Sequence, residues 1–324
     1  MTSLLKTGVL SLHGVFIAAA AIVIILYAFY YDSVKKYDNV PLMYITPAAV
    51  FFGFFGARLM YVTVCDQLYM EPEEKWRLTD GGYAMLGAVA AIILVSVVFW
   101  LIMRRRFSLL KVFDSICAGA PLGIAIGRMG SVFSEDCMGE SVDFEGLRFF
   151  PIAILKQSDG EYHYAVFFYE AVFCLIIFFV IRYVDKKVDR AGVSSFMFTV
   201  LYCGARALLE SMREDSMYIG FVRINQVLAI LTVIGLFIYI NIRLFKKTGF
   251  KIRYPILYVI FTAAFVVAFF MEFYMYSDAK AFNTAMIMIC CAVMMAASLY
   301  AGAEFLRNSN NIALKRKNKR RYIG

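Results

Sequence analysis

Nine apolar stretches, each close to the length that crosses a bilayer, constrain this chain more than any other feature. They run over about 9–31, 41–64, 82–103, 109–130, 163–183, 192–211, 223–243, 254–275 and 283–304. A helix needs roughly 20 apolar residues to span the hydrocarbon core. Backbone N–H and C=O groups have no water to bond there, so each stretch is predicted to be helical. With 62% hydrophobic residues and a mean hydropathy of +0.71, the composition excludes an ordinary soluble domain. The first stretch is too long for a signal peptide, lacks a clear cleavage site and is followed by eight more. The expectation is an all-α, polytopic membrane bundle.

The charges between the spans alternate in sign. Lys35 and Lys36 follow the first span, Arg104, Arg105, Arg106 and Lys111 the third, and Arg182, Lys186, Lys187 and Arg190 the fifth. Lys246, Lys247, Lys251 and Arg253 follow the seventh, and KRKNKRR at 315–321 closes the chain. The intervening loops, CDQLYMEPEEKWRLTD and SEDCMGESVDFEG, carry more acid than base. Basic loops stay cytoplasmic, so the N-terminus is expected outside and the C-terminus inside. The net charge of +9 is then mostly topology. The basic tail fits anionic lipid of the inner leaflet better than nucleic acid, and no nucleic-acid partner is expected. The seven cysteines show no CxxC or CxxH spacing and there are only two histidines, so neither a metal site nor a disulfide framework is expected.

Ionisable residues inside spans are costly and are functional candidates. In the expected topology Arg58, Arg128, Tyr169, Glu170, Tyr202, Arg206, Glu210, Arg213, Asn225, Gln226 and His13 all fall toward the outer ends of their spans. Tyr202, Arg206, Glu210 and Arg213 follow i, i+4, i+8 and i+11, which is one helix face. Two readings follow. Arg206 and Glu210 neutralise each other as a structural pair, or Arg58, Arg128 and Arg206 balance an anion, to whose phosphate the planar guanidinium fork is suited. Gly127, Gly130 and Gly139 would let backbone approach that anion. Polarity on one side, rather than at the midplane, argues against a transporter.

Five segments carry a resemblance. GRMGSVFSEDCMGE (127–140) resembles GRxGNFxNxExxG, the signature of the prolipoprotein diacylglyceryl transferases. FFGARLMYV (54–62) is similar to GARLxYV, WRLTDGGYAMLGA (76–88) to W…GGxxxHGG, and FFYEAVF (167–173) to QLYEAL. LYCGARALLESMRE (201–214) with INQ (224–226) is similar to YGxxRFxxExxR…GQ. Together they cover about 1–245, in the family's order.

The resemblance implies a seven-helix bundle over 1–245, with 131–162 as an extracytoplasmic head. Two added helices follow over 246–306, then a basic cytoplasmic tail at 307–324. It further implies transfer of the diacylglyceryl group of phosphatidylglycerol to the lipobox cysteine of a prolipoprotein at the outer leaflet of a bacterial plasma membrane, with no cofactor. Arg128, Arg206, Tyr202, Glu210 and His13 would be catalytic. Arg58, Ser131, Asp136, Gly139, Glu170, Arg213 and Gln226 would bind substrate.

Departures fall on particular positions. The family histidine is Leu86, the second glycine after it Ala88, the two asparagines Ser131 and Ser134, the glutamate Asp136, the first-span tyrosine His13, and the proline before YE Ala165. A proton acceptor is therefore sought among His13, Glu210 and Asp136, and His13 also reads as a role-free interfacial residue. The head either contacts the acceptor or caps the bundle. The added helices either pack an interface through MIMICCAVMMAASLYAG or face lipid. A retasked lipid-binding paralogue is the other reading of the whole chain.

Overall fold

The computed structural model describes residues 12–64, 82–103, 106–142, 144–188, 190–214, 216, 218–219, 222–248, 253–273 and 280–321. The acidic 65–81 loop with Cys65 and the WRLTDG start of the third motif, Arg104, Arg105 and Lys251 lie outside the described residues.

Among those residues the chain forms nine α-helices: α1 Leu12–Lys35, α2 Val40–Val64, α3 Met85–Ile102, α4 Leu109–Gly130, α5 Val166–Lys187, α6 Val193–Glu210, α7 Ile224–Thr248, α8 Arg253–Phe273 and α9 Lys280–Arg321. Seven are long and apolar enough to cross a membrane. The other two are α6, whose 18 residues include Arg206 and Glu210, and α8, whose apolar part is the shorter Pro255–Met271. This is an all-α polytopic bundle. The ninth helix continues past its span, Phe282–Arg307, to Arg321, so the basic tail extends the helix.

The chain divides into two compact units, Met1–Phe198 with Glu214–Val222, and Thr199–Arg213 with Arg223–Gly324. In the first, α1 lies antiparallel against α4, α2 against α3, and α4 against α5. Glycines decide the first two contacts. A Cβ at Gly123 would sit 2.3 Å from Ile24 Cγ1 and 2.8 Å from the Ala20 carbonyl, and one at Gly130 would sit 2.4 Å from Phe16 Cβ. Gly87 meets Gly56 in the same way, its Cβ falling 2.2 Å from the Gly56 oxygen. Close backbone approach through small residues replaces the hydrophobic drive that lipid cannot supply. Gly127 and Gly130, which the sequence offers as room for an anion, face Ala20 and Phe16 of α1.

The segment between α4 and α5 contains a two-stranded antiparallel hairpin, β1 Ala153–Leu155 with β2 Tyr162–Tyr164. The chain at 139–142 adds alongside β2 through Gly139 N–H to Tyr164 O (2.8 Å) and Val142 N–H to Tyr162 O (2.6 Å). In the second unit α9 packs against both α7 and α8, and Phe237 of α7 stacks on Phe261 of α8 at 4.1 Å between centroids. Short strands β3 Tyr218–Ile219 and β4 Val222–Arg223 pair before α7.

A correction concerns where polarity is buried. Asp32, Asp114 and Asp185 are buried at the opposite helix ends from Arg128. Asp185 Oδ1 accepts from Ser194 Oγ (2.7 Å) and Tyr31 OH (3.2 Å). Asp114 Oδ1 accepts the Ser195 N–H (2.8 Å) and its hydroxyl (2.9 Å), capping the start of α6, and Ser115 donates to Asp32. These carboxylates sit beside loops in the sequence, where they read as solvated charges, but packing of helix ends encloses them. Asp114 satisfies helix-terminal N–H groups that have no intrahelical partner, while Asp185 and Asp32 accept from hydroxyl groups.

Candidate active site

In the first unit the last turn of α4 presents Arg128. Its Nε lies 2.9 Å from Glu170 Oε2 of α5, Nη1 is 2.7 Å from Cys137 Sγ, and Nη2 is 3.9 Å from Met85 Sδ. The carboxylate fixes one edge of the guanidinium, while sulfur, a weak acceptor, touches the other. Glu170 is 2% exposed as a side chain and Arg128 15%. The cation therefore reaches a surface that its carboxylate does not.

The chain reverses after Arg128 through a 3-10 turn at Ser131–Phe133 and two left-handed residues, Glu135 (φ 57°) and Cys137 (φ 62°). That conformation costs a side-chain-bearing residue about 1–2 kcal/mol, so it needs external support. The support is main-chain: Phe167 N–H donates to the Cys137 carbonyl (3.0 Å), Glu214 N–H to Met138 O (3.2 Å), and Gly139 N–H to Tyr164 O. Ser131 is buried, and its carbonyl accepts from Ser134 N–H (3.3 Å). Asp136 is exposed. His13, near the start of α1, has Nδ1 3.1 Å from Ser134 Oγ. Tyr169 points the other way, donating to Ile152 O.

Arg58 is 1% exposed in α2. Its Nη1 donates to the Gly82 carbonyl (3.2 Å), and the guanidinium lies 5.9 Å from the Tyr83 ring centroid. Gly82 has φ 73°, and a Cβ there would strike Tyr61 at 2.5 Å. The GARL arginine thus holds the entry to α3, where Leu86 sits half-buried in the first turn.

In the second unit Glu210, fully buried at the end of α6, gathers the other expected residues. Arg206 Nη2 is 3.2 Å and Arg213 Nη1 3.7 Å from Glu210 Oε2, and Asn225 Nδ2 donates to Oε1 at 2.9 Å. Arg223 Nη1 donates to the Glu210 main-chain carbonyl (3.2 Å), and Gln226 Nε2 to Ala207 O (3.5 Å). Tyr202 is buried on the same helix. Of the two guanidinium groups on the carboxylate, Arg206 is the more open at 14%, against 7% for Arg213.

Sequence reasoning missed Cys137 and Met85 beside Arg128, Arg223 above Glu210, and a cluster around His163. Cys137 stands at a variable position of the signature. Arg223 flanks the INQ motif, and its nearness to Asn225 was the one available signal.

Outside the spans, the head holds shifted groups. The Ser158 hydroxyl and the Gln157 N–H keep Glu135's carboxyl below its ordinary value. The Glu161 N–H, then Lys156 and His163, do the same for Asp159. Burial pulls Lys156 down, but its bonds to Glu214 and Asp159 outweigh that and raise it.

The profile of the family described as "Prolipoprotein diacylglyceryl transferase" matches residues 3–243. The chain belongs to that family. A protein of Listeria innocua serovar 6a named phosphatidylglycerol--prolipoprotein diacylglyceryl transferase is 28% identical over 241 residues, 72% of this chain and 86% of that one. One of Clostridium botulinum strain 657 with the same name is 29% identical over 238 residues, 71% and 93% of the two chains. One of Thermotoga petrophila is 29% identical over 187 residues, 56% and 64%. The prolipoprotein diacylglyceryl transferase family is one of membrane transferases in lipoprotein biosynthesis, and its member here is a multi-pass membrane protein.

Proposed function

We propose that the chain transfers the diacylglyceryl group of phosphatidylglycerol to the thiol of a lipobox cysteine in an exported prolipoprotein. The reaction runs at the outer leaflet of a bacterial plasma membrane, with the N-terminus outside and the C-terminus in the cytoplasm. Sulfur, as thiolate, attacks the glycerol methylene carbon that bears the phosphate ester. A C–S bond forms, the C–O bond breaks with its electron pair going to oxygen, and glycerol phosphate leaves. The thiol proton passes to a base, for which His13, next to Ser134, is our candidate; Glu210 and Asp136 are the others.

The leaving phosphate gains charge as it departs, so donors fixed beforehand stabilise it most. Arg128 and Arg206 take that role. The observation that supports it is their exposure: each is tied at one edge to a buried carboxylate, and each remains more open than Arg58 or Arg213. Arg213, Gln226, Glu170, Tyr202, Ser131 and Gly139 hold these groups and the lipid in place, and Arg58 fixes the entry to α3. We assign 1–245 as the transferase domain with 131–162 as its head. We assign 246–306 as an added helix pair and 307–324 as a cytoplasmic tail.

The test uses purified protein in phosphatidylglycerol vesicles with a one-cysteine lipobox peptide, read by mass spectrometry. A diacylglyceryl adduct is expected, lost in Arg128→Ala and reduced in His13→Ala. A folded wild-type protein that binds the lipid and yields no adduct would overturn the proposal.

A further inference from the structure

His163 is 3% exposed and belongs to none of the motifs above. Every partner its ring meets is an acceptor. Nδ1 lies 2.8 Å from the Gly139 carbonyl and 3.4 Å from Glu214 Oε2, and Nε2 lies 3.0 Å from Asp159 Oδ2. A carbonyl only accepts, so Nδ1 must carry hydrogen. Asp159 is held in its ionised form by the Glu161 N–H and by Lys156, so Nε2 faces a carboxylate that also accepts. A neutral ring has one N–H and one lone pair, and only the imidazolium donates from both sides. The charged groups around it are Asp159, Glu214 and Lys156, whose Nζ is 3.3 Å from the first and 3.2 Å from the second.

Gly139 ends the turn that begins at Arg128. Two residues of that turn are left-handed, and Cys137 among them touches Arg128 Nη1. The geometry points to His163, carried as the imidazolium, as the residue that pins this turn to the head hairpin and so sets the position of Arg128. It is a positioning residue: 3% exposed, it acts through Gly139 and Cys137. In the reading of function above, which this inference deepens, it links the hairpin to the arginine that receives the leaving phosphate.

Two readouts are independent of transfer. Nitrogen NMR of protein labelled at histidine should show, at neutral pH, a ring protonated on both nitrogens that disappears in His163→Gln. Maleimide labelling of Cys137, located by peptide mass spectrometry, should be slow in the wild type, where Cys137 is buried, and clearly faster in His163→Gln. In the vesicle assay the same variant should lose about tenfold in kcat with the lipid KM unchanged, a part of the roughly hundredfold that a 1 Å misplacement can cost. His163→Arg, which keeps charge and donors, should recover part of that loss. A neutral wild-type ring, or Cys137 labelling equally slow in His163→Gln, overturns the pin whatever the activity. A protonated ring and faster labelling in a wild type that makes no adduct would support the pin while removing the transferase reading.

Discussion

The Arg128–Glu170 pair offers the sharpest test of what the first unit is built to do. Glu170→Gln keeps the shape of the side chain and removes its charge. With Nε and Oε2 at 2.9 Å, the charge centres are about 4 Å apart, and an effective dielectric near 20 gives an attraction of about 4 kcal/mol. Part of that is returned because a buried carboxylate no longer has to be desolvated. Arg128 is also 15% exposed, so water recovers some of the rest. A net loss of about 2 kcal/mol is expected, or about 4–8 °C in unfolding temperature on the scaling of soluble domains of 150–250 residues. The assay is thermal unfolding in detergent for wild type, Glu170→Gln, Arg128→Gln and the double variant. The cycle should give a coupling of about 2 kcal/mol. Lipid binding should move the other way, since Arg128 without its carboxylate holds an anion more tightly, so the phosphatidylglycerol KM falls in Glu170→Gln. Unfolding temperatures that add without coupling, or a KM that rises, would refute the view that Glu170 holds Arg128 in competition with phosphate.

Other expectations follow from the same geometry. Gly123→Ala places a methyl 2.3 Å from Ile24 Cγ1 and 2.8 Å from the Ala20 carbonyl. It should cost about 1–3 kcal/mol as overpacking, and an unchanged unfolding temperature would mean that α1 and α4 part easily. Arg206→Lys retains a charge but loses the planar fork; transfer should fall about tenfold, roughly 1.4 kcal/mol of transition-state stabilisation, and equal activity would remove the bidentate role. In the head, Asp159 and Glu135 have lowered values, so their stabilisation is present above the ordinary carboxylate range and lost as pH falls through it. Lys156 is raised, so its contribution is full at neutral pH and lost only in strong alkali. Hydrogen-exchange protection at 153–164 should therefore be full at about pH 6 and drop below about pH 4.

The fold was largely legible because membrane helices are written in length and hydropathy. Each of the nine runs predicted from the sequence overlaps one of the helices among the described residues, with ends displaced by a few residues, since fraying ends and interfacial residues carry no hydropathy signal. The partnership of helices was not legible. Gly130 reads in the sequence as room for backbone to approach an anion, and nothing in the sequence marks Gly119 or Gly123 as the places where Tyr27 and Ile24 of α1 pack, or Gly130 as the place of Phe16. At the site, the i, i+4, i+8 spacing brought Arg206 and Glu210 to one face, because a helix is periodic. The link from Arg128 to Glu170 crosses two helices and has no period, and Cys137 and His163 act through a turn whose shape depends on left-handed residues. The carboxylates at 32, 114 and 185 show the same limit from the other side, since a charge next to a loop reads as solvated until a neighbouring helix covers it.

The departures from the family pattern are themselves arranged in space. By the motif resemblance His13 takes the place of a tyrosine and Ser134 that of an asparagine; the structure sets the two 3.1 Å apart, Nδ1 to Oγ. Two changed positions that touch have a physical reason to have changed together. Tyrosine reaches further than histidine, and asparagine both donates and accepts where serine has one rotating hydroxyl. His13→Tyr alone should crowd Ser134, and Ser134→Asn alone should crowd His13, each lowering transfer several-fold. The double variant restores the family pair and should lose less than the product of the two single effects, with a coupling of about 1 kcal/mol or roughly fivefold in rate. The measurement is kcat/KM for the lipobox peptide in all four proteins. Strictly multiplicative losses would show that the two positions work independently. Coupling would show instead that the two positions changed as a unit around a different pair of side chains, while Arg128 and Arg206 keep the residues of the family motifs.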